Sequence, residues 1–196
     1  MRLGLDLRPE ADAARRRALA VEADDLGLWA VLVGGPDQPA AIEAAALATV
    51  TEHVHLGVWL DGGTAHPTTL AEEVAVLDHL SRRRALAMVD GPATVVTQIE
   101  RLLAGEIVDG VALTPPPAQT RVPVWNAVDH EPVALTGDLD ADRATIDRLR
   151  DGGTVTAFVT WPGPLPALAR HLVSRAAAPD FPDLVAEMAD VVDPPP

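Results

Sequence analysis

Val54-His55-Leu56-Gly57-Val58-Trp59-Leu60 runs into Asp61-Gly62-Gly63, and Ala85-Leu86-Ala87-Met88-Val89 runs into Asp90-Gly91-Pro92. Between these two β-rich stretches, over residues 67–80, Leu70, Val74, Leu77 and Leu80 recur on one helical face. Glu72, Glu73 and Asp78 lie off that face, and Pro67 suits the first turn of the helix. Strand, helix, strand at this spacing is the unit from which parallel sheets are built.

The same unit repeats toward the N-terminus. Leu3 to Leu7 reads as a strand, followed by a helix over residues 11–26 with Ala14, Ala18 and Val21 on one stripe and Gly27 as its stop. Trp29 to Val33 is an unbroken apolar run ending at Gly34-Gly35-Pro36, as expected of a strand buried on both faces. An Ala-rich helix over 39–51 leads into the stretch quoted first. After Asp90-Gly91-Pro92, Val95, Ile99 and Leu102 line a fourth helix. Four βα units in a row predict a parallel sheet with outer helices. The pattern alone fits a barrel or an open doubly wound sheet.

The second half is less regular. Residues 105–121, with Gly105, Gly110 and Pro115-Pro116-Pro117, read as an extended excursion, and Val122 to Trp125 as a fifth strand. Residues 128–138 read as polar loop and 139–150 as a helix closed by Gly152-Gly153. Thr154 to Thr160 is the last strand, ending at Trp161-Pro162-Gly163. A helix over 165–177, a short helix over Phe181 to Val192 and a frayed end complete the reading. About six strands are expected in one domain, 1–196, with the strand-bearing part in 1–178 and a tail over 179–196.

Composition narrows the chemistry. Of 196 residues, 29 are acidic and 15 basic, a formal net charge of −14. The basic residues are all Arg. Phosphate backbones and anionic membrane surfaces need a basic face, so neither is an expected partner. Without Lys there is no Schiff base and no P-loop lysine; without Cys, no thiolate ligand, nucleophile or disulfide. The serines, Ser81 and Ser174, sit outside any G-x-S-x-G elbow. No apolar run approaches the roughly 20 residues of a membrane span, and Met1 to Asp6 turns polar too soon for a signal peptide. A cytoplasmic protein is expected, and an enzyme built from this inventory would borrow its chemistry from a cofactor.

Several ordered fragments resemble the luciferase-like monooxygenase family. Gly27-Leu28-Trp29-Ala30-Val31, with Glu22 a turn earlier, looks like the family's entry to strand two. Leu47-Ala48-Thr49 through Leu56-Gly57 resembles its "LA-x-x-T-x-x-(I/V)-x-LG" signature. His66-Pro67, Leu70-Ala71-Glu72-Glu73 and Leu77-Asp78-His79-Leu80-Ser81-Arg82-Arg83-Arg84 resemble its "(H/R)-P … A-x-E … LD-x-LS-x-GR" block. Gly105-Glu106, Leu113 to Pro117 and Pro123-Val124-Trp125 resemble its excursion into strand five. The resemblance implies an α/β fold, a shortened TIM-type (β/α) barrel, mostly parallel. It implies a flavin- or deazaflavin-dependent oxidoreductase or monooxygenase acting on a small organic substrate, with FMN or coenzyme F420 as cofactor, and a homodimer. The alternative is a non-catalytic barrel remnant, a binding or assembly subunit with no functional cofactor site.

Barrel chemistry sits at the C-terminal strand ends. That points to Asp6, Gly34, Trp59, Asp61, Asp90, Gly91, Trp125, Asn126 and Trp161, where glycine lets backbone approach a flat ring and tryptophan can stack on it. Gly34, Trp59, Asp61, Asp90, Gly91, Trp125 and Asn126 are the cofactor-binding candidates. The plainer reading is that Gly and Asp turn the chain and the tryptophans fill the pocket themselves. By the resemblance, His66 is the acid–base candidate; otherwise it contacts the helix start. His53 and His55 alternate as two metal ligands would, but without a third, so no metal site is expected. Arg15-Arg16-Arg17 and Arg82-Arg83-Arg84 read as solvated faces. Three departures from the family pattern count against ordinary cofactor binding, the last of them against its phosphate. A Gly is missing at Ser81-Arg82-Arg83-Arg84, Asp90 stands in the turn after strand four, and an acidic Val128-Asp129-His130-Glu131-Pro132 follows strand five.

Overall fold

A computed structural model describes residues 1–35 and 39–173. The expected helix over Phe181 to Val192 and the tail lie outside the described residues.

The four βα units form: β1 (Arg2–Asp6), α1 (Ala13–Asp25), β2 (Ala30–Gly34), α2 (Ala40–Ala48), β3 (His55–Asp61), α3 (Pro67–Leu80), β4 (Ala85–Asp90) and α4 (Ala93–Leu103), but α1 buries Arg16, Ala20 and Ala23 instead of the expected stripe of Ala14, Ala18 and Val21. Then come β5 (Val124–Asn126), β6 (Val133–Ala134), α5 (Leu139–Asp151), β7 (Thr156–Thr160) and α6 (Leu165–Leu168). Helix starts follow capping chemistry. Asp12 and Asp138 accept from backbone N–H groups of α1 and α5, and Pro67 occupies the first turn of α3.

All strand pairs are parallel, in the order β5-β4-β3-β2-β1-β7-β6. The strands curl into a half-barrel with the helices outside. Among the described residues the count is seven against the six expected. The added strand, β6, is two residues long inside the stretch expected to be loop, and gains its pairing from the far end of β7. So short a segment carries no periodicity to read. The sheet's two edge strands, β5 and β6, are three and two residues long, which leaves little exposed ladder.

Two cores result. The outer face of the sheet, with Leu3, Leu5, Val31, Val33, Leu56 and Val58, packs under the helices. The inner face holds Ala30, Leu32, Leu86, Met88, Ala127 and Phe158, flanked by Trp29, Trp59 and Trp125. Neighbouring strands alternate in bulk on this inner face. Gly4 of β1 lies against Phe158 of β7, where a Cβ would come within 2.5 Å of the phenyl ring. Gly57 of β3 lies between Leu32 of β2 and Leu86 of β4, where a Cβ would sit 2.8 Å from the Leu86 Cδ1. Bulk on β2, β4 and β7 fills the space that glycine on β1 and β3 leaves open, a layer arrangement that suits a curved sheet.

Two of the arginines expected on solvated faces are buried. Arg84 donates to the carbonyls of Ser81, Thr51 and Val54 at 2.7, 2.9 and 2.7 Å and to the Thr51 hydroxyl at 3.0 Å. Asp24 takes the N–H groups of Glu52, His53 and Val54 in the same turn. One cation on the carbonyls and one carboxylate on the amides thus clamp the entry to β3. Arg16 pairs with Glu43 of α2 and donates to the Glu10 carbonyl. The excursion folds back on the N-terminal end of the sheet. Gln119 donates through its backbone N–H and side chain to buried Asp78, and also to the Ala85 carbonyl.

Candidate functional site at the strand ends

The inner rows of three strands end in carboxylates: Gly4–Asp6 on β1, Gly57–Trp59–Asp61 on β3 and Leu86–Met88–Asp90 on β4. Register places Asp61 beside Asp90 and Gly34 beside Trp59.

Each carboxylate meets a different fate. Asp6 is buried and binds Arg8 through two side-chain bonds of 2.9 Å, Nε to Oδ1 and a terminal nitrogen to Oδ2. That fork holds the Arg8 guanidinium 3.7 Å above the Trp59 ring. Asp61 accepts from the Gly63 N–H at 2.8 Å and the Thr64 hydroxyl at 2.9 Å, and these bonds hold its carboxyl below the usual range. Asp90 is exposed at the end of β4, and its carbonyl accepts from the Gly62 N–H at 2.8 Å.

The glycines have local work. Gly34 has φ +101°, and a Cβ there would meet the Ala40 Cβ at 2.4 Å, so the turn into α2 demands glycine. Gly91 lies against the Gly62 backbone, with a hypothetical Cβ at 3.0 Å. The turns after β3 and β4 therefore touch.

His66 is exposed and caps α3, its Nδ1 accepting the Thr68 N–H at 3.3 Å. This leaves Nε2 for a ligand. Trp161, at the end of β7, donates Nε1–H to the Pro164 carbonyl at 3.1 Å. It lines a cavity of about 350 Å³ with Asp6, Leu7, Glu10, Arg15 and Leu135. His66, Trp59, Asp61 and Asp90 do not line this cavity.

Trp125 turns away from that group. Its ring lies 5.8 Å from the ring of Trp29, 6.3 Å from Phe158 and stacks on His130 at 5.4 Å. Asn126 stays beside Val89, its Oδ1 accepting the Val128 N–H at 3.0 Å. His55 stacks on Trp29 at 5.0 Å and shares a 3.2 Å contact with its carbonyl. Burial pushes the His55 imidazole below its ordinary value, against the opposing effect of that carbonyl. Among the described residues, no three His, Asp or Glu side chains converge as a metal site would require.

Arg8 escaped the sequence reading. Its signal was the i, i+2 spacing from an aspartate at a strand end, which puts Arg8 in the turn after β1, where its backbone N–H and side chain both reach the Asp6 carboxylate. The strand-end residues pack on one another: the Arg8 guanidinium covers a face of the Trp59 ring, and the space beside Gly34 and Gly91 is taken by Ala40 and Gly62. The strand ends suit a phosphate poorly. Asp61 and Asp90 repel it, while the nearby cations Arg8 and Arg15 are paired with Asp6 and Glu10.

No family model matches the chain, and no curated protein matches it in sequence. Solved structures match it in fold. A monooxygenase, RslO1 from Streptomyces bottropensis, is 18% identical over 95% of this chain and 83% of its own, with a TM-score of 0.54. The coenzyme F420-dependent tetrahydromethanopterin reductase from Methanopyrus kandleri is 14% identical over 95% and 80%, with a TM-score of 0.53. Riboflavin lyase RcaE, solved with modified FMN and riboflavin, is 16% identical over 82% and 61%, with a TM-score of 0.52. At such identities the likeness shows the fold. No helix among the described residues is long and apolar enough to cross a membrane.

Proposed function

We propose, for a chain whose fold is that of the luciferase-like monooxygenases, a flavin- or deazaflavin-dependent oxidoreductase acting on a small organic substrate. The observation that carries this reading is the likeness over 95% of the chain to RslO1 and to the F420-dependent reductase, joined to the cluster of Trp59, the Arg8 guanidinium and the Asp61 and Asp90 carboxylates at the strand ends. Fold likeness alone is an analogy, so the site must bear the weight.

A bound flavin or deazaflavin would supply hydride or oxygen chemistry. The chain's part is placement and charge. Gly34 and Gly91 shape the turns beside the ring, Trp59 and Asn126 border it, and Asp61 and Asp90 offer acceptors to its N–H groups. The Arg8 guanidinium, fixed by Asp6, is a preorganised positive charge beside a ring that gains electrons. His66, with Nε2 free of the capping bond, is the group that moves a proton at the edge of the site.

Titration of oxidised FMN, riboflavin and coenzyme F420, followed by absorbance and tryptophan fluorescence, tests this reading. Saturable binding below about 1 mM is expected. Riboflavin should bind at least as well as FMN, because the phosphate meets carboxylates. Absence of saturation with all three compounds overturns the proposal in favour of a non-catalytic binding subunit.

The outer face of α2 and α3 supports a homodimer. Ile42, Val76 and Leu80 are 71%, 49% and 57% exposed around an apolar groove of about 340 Å³. In sedimentation, a Val76→Glu/Leu80→Glu variant should run as a monomer where the parent chain runs as a dimer.

A further inference from the structure

A second cavity, of about 520 Å³, lies away from the strand-end site, at the seam where, among the described residues, the half-barrel stays open between β5 and the β7–β6 edge. Its lining draws on the starts of β1, β5 and β7, with Arg2, Pro123 and Thr156, and on the link between β5 and β6. The inner wall is aromatic: Trp29, Trp125 and Phe158, with ring centroids 5.8 to 6.4 Å apart. The outer rim carries the exposed carboxylates of Asp129 and Glu131. Neither has a side-chain hydrogen bond or ion pair among the described residues.

Two of the chain's own planar groups already use this wall. The Arg2 guanidinium lies 5.7 Å from the Trp29 ring centroid, and the His130 imidazole stacks on Trp125 with 16° between the planes. Both are flat nitrogen-rich groups, and Arg2 is a cation. Aromatic faces attract cations through their quadrupole, and unpaired carboxylates at the rim of an apolar hollow add to that attraction. A net charge of −14 raises the local concentration of cations further. The volume falls within the range of small-molecule sites.

From this combination we infer that the seam is a binding site for a planar aromatic cation, a heteroaromatic or aryl ammonium compound. It is independent of the strand-end site and of any cofactor there. The ring lies along the Trp29–Trp125–Phe158 wall, and the positive charge faces Asp129 and Glu131. An anion of the same shape would face those two carboxylates unfavourably.

The test uses the full chain and N-methylquinolinium as probe, with quinoline at pH 8 as the neutral analogue and quinoline-2-carboxylate as the anionic one. Binding is read from the four tryptophan indole N–H signals by NMR, assigned with single Trp→Phe variants. The expected result is saturable binding of the cation below about 1 mM, several-fold weaker binding of quinoline and weaker still of the carboxylate. The signals of Trp29 and Trp125 should move while those of Trp59 and Trp161 stay. Asp129→Asn/Glu131→Gln, on an exposed link, should bring the affinity for the cation down to that for quinoline. Trp125→Ala should weaken both tenfold or more. Movement confined to Trp59 and Trp161, equal affinity for all three probes, or no effect of the double rim variant would overturn the inference. A failure to bind flavins at the strand ends leaves each of these readouts intact, so the two proposals fail separately.

Discussion

The Arg8 guanidinium lies 3.7 Å above the ring of Trp59, and Asp6 fixes it there. Removing the arginine strips the buried Asp6 carboxylate of its partner and uncovers the indole. Arg8→Ala should therefore cost about 2–4 kcal/mol in urea denaturation, less than for a fully buried pair because the Arg8 side chain is 22% exposed. Arg8→Lys should recover part of this but not the stack, because an ammonium lacks the flat two-pronged geometry. If Arg8 also serves the bound ring, both variants should weaken riboflavin binding more than they lower stability at the temperature of the assay.

Inner-face glycines should resist even one added carbon. Gly57→Ala places a Cβ 2.8 Å from Leu86 Cδ1 and 3.1 Å from both Leu32 Cδ1 and the Val31 carbonyl. A loss of about 1–3 kcal/mol is expected from such overpacking. Pairing it with Leu86→Ala should give less loss than the sum of the two single changes, and a double-mutant cycle measures the difference. Strict additivity would show that the two side chains do not compete for this space.

Arg84→Met should be among the most damaging single changes. It deprives the carbonyls of Thr51, Val54 and Ser81 of a donor in a buried position, at about 3–5 kcal/mol. Thermal melting checks this. A melting temperature within about 2 °C of the parent chain would argue that water replaces the guanidinium at little cost.

Stability should fall on mild acidification through His55. Burial lowers its folded-state pKa relative to the unfolded chain, so the neutral ring is the one the fold prefers. The contribution is complete above the unfolded value of about 6.5 and is lost as pH falls from there through the lowered folded value. The denaturation midpoint should drop between pH 7.5 and 5.5. His55→Phe keeps a ring against Trp29 and cannot take the proton, so its midpoint should drop less over the same interval.

Much of this was legible in the sequence. The regular spacing of Leu70, Val74 and Leu77 read directly as α3, and the apolar run from Trp29 to Val33 as a strand buried on both faces; Leu80, read on the same stripe, is exposed, and Asp78, read off it, is buried by Gln119 of the excursion. Local periodicity carries such information. It could not carry β6, whose two residues pair only because β7 lies beside them. Nor could it separate Arg84 from its neighbours in a run of three arginines. Arg84 is drawn inward by carbonyls 30 and 33 positions away, contacts that a short window does not contain. At the strand ends, the glycines and aspartates were legible as a group, but not their partners. Trp125 shared its strand-end position with Trp59, yet its neighbours are Trp29 and Phe158, which come from the start of β2 and from β7.

The alternation of glycine and bulk across the inner face bears on how an incomplete ring stays folded. A closed barrel holds its radius by continuous hydrogen bonding around the circumference; among the described residues this sheet ends in two unpaired margins. Its radius is instead set from within. Phe158, Leu32 and Leu86 act as spacers of fixed size, and Gly4 and Gly57 are the notches that receive them. Curvature here is a property of side-chain volume rather than of closure, so resizing one spacer should change the width of the seam some strands away.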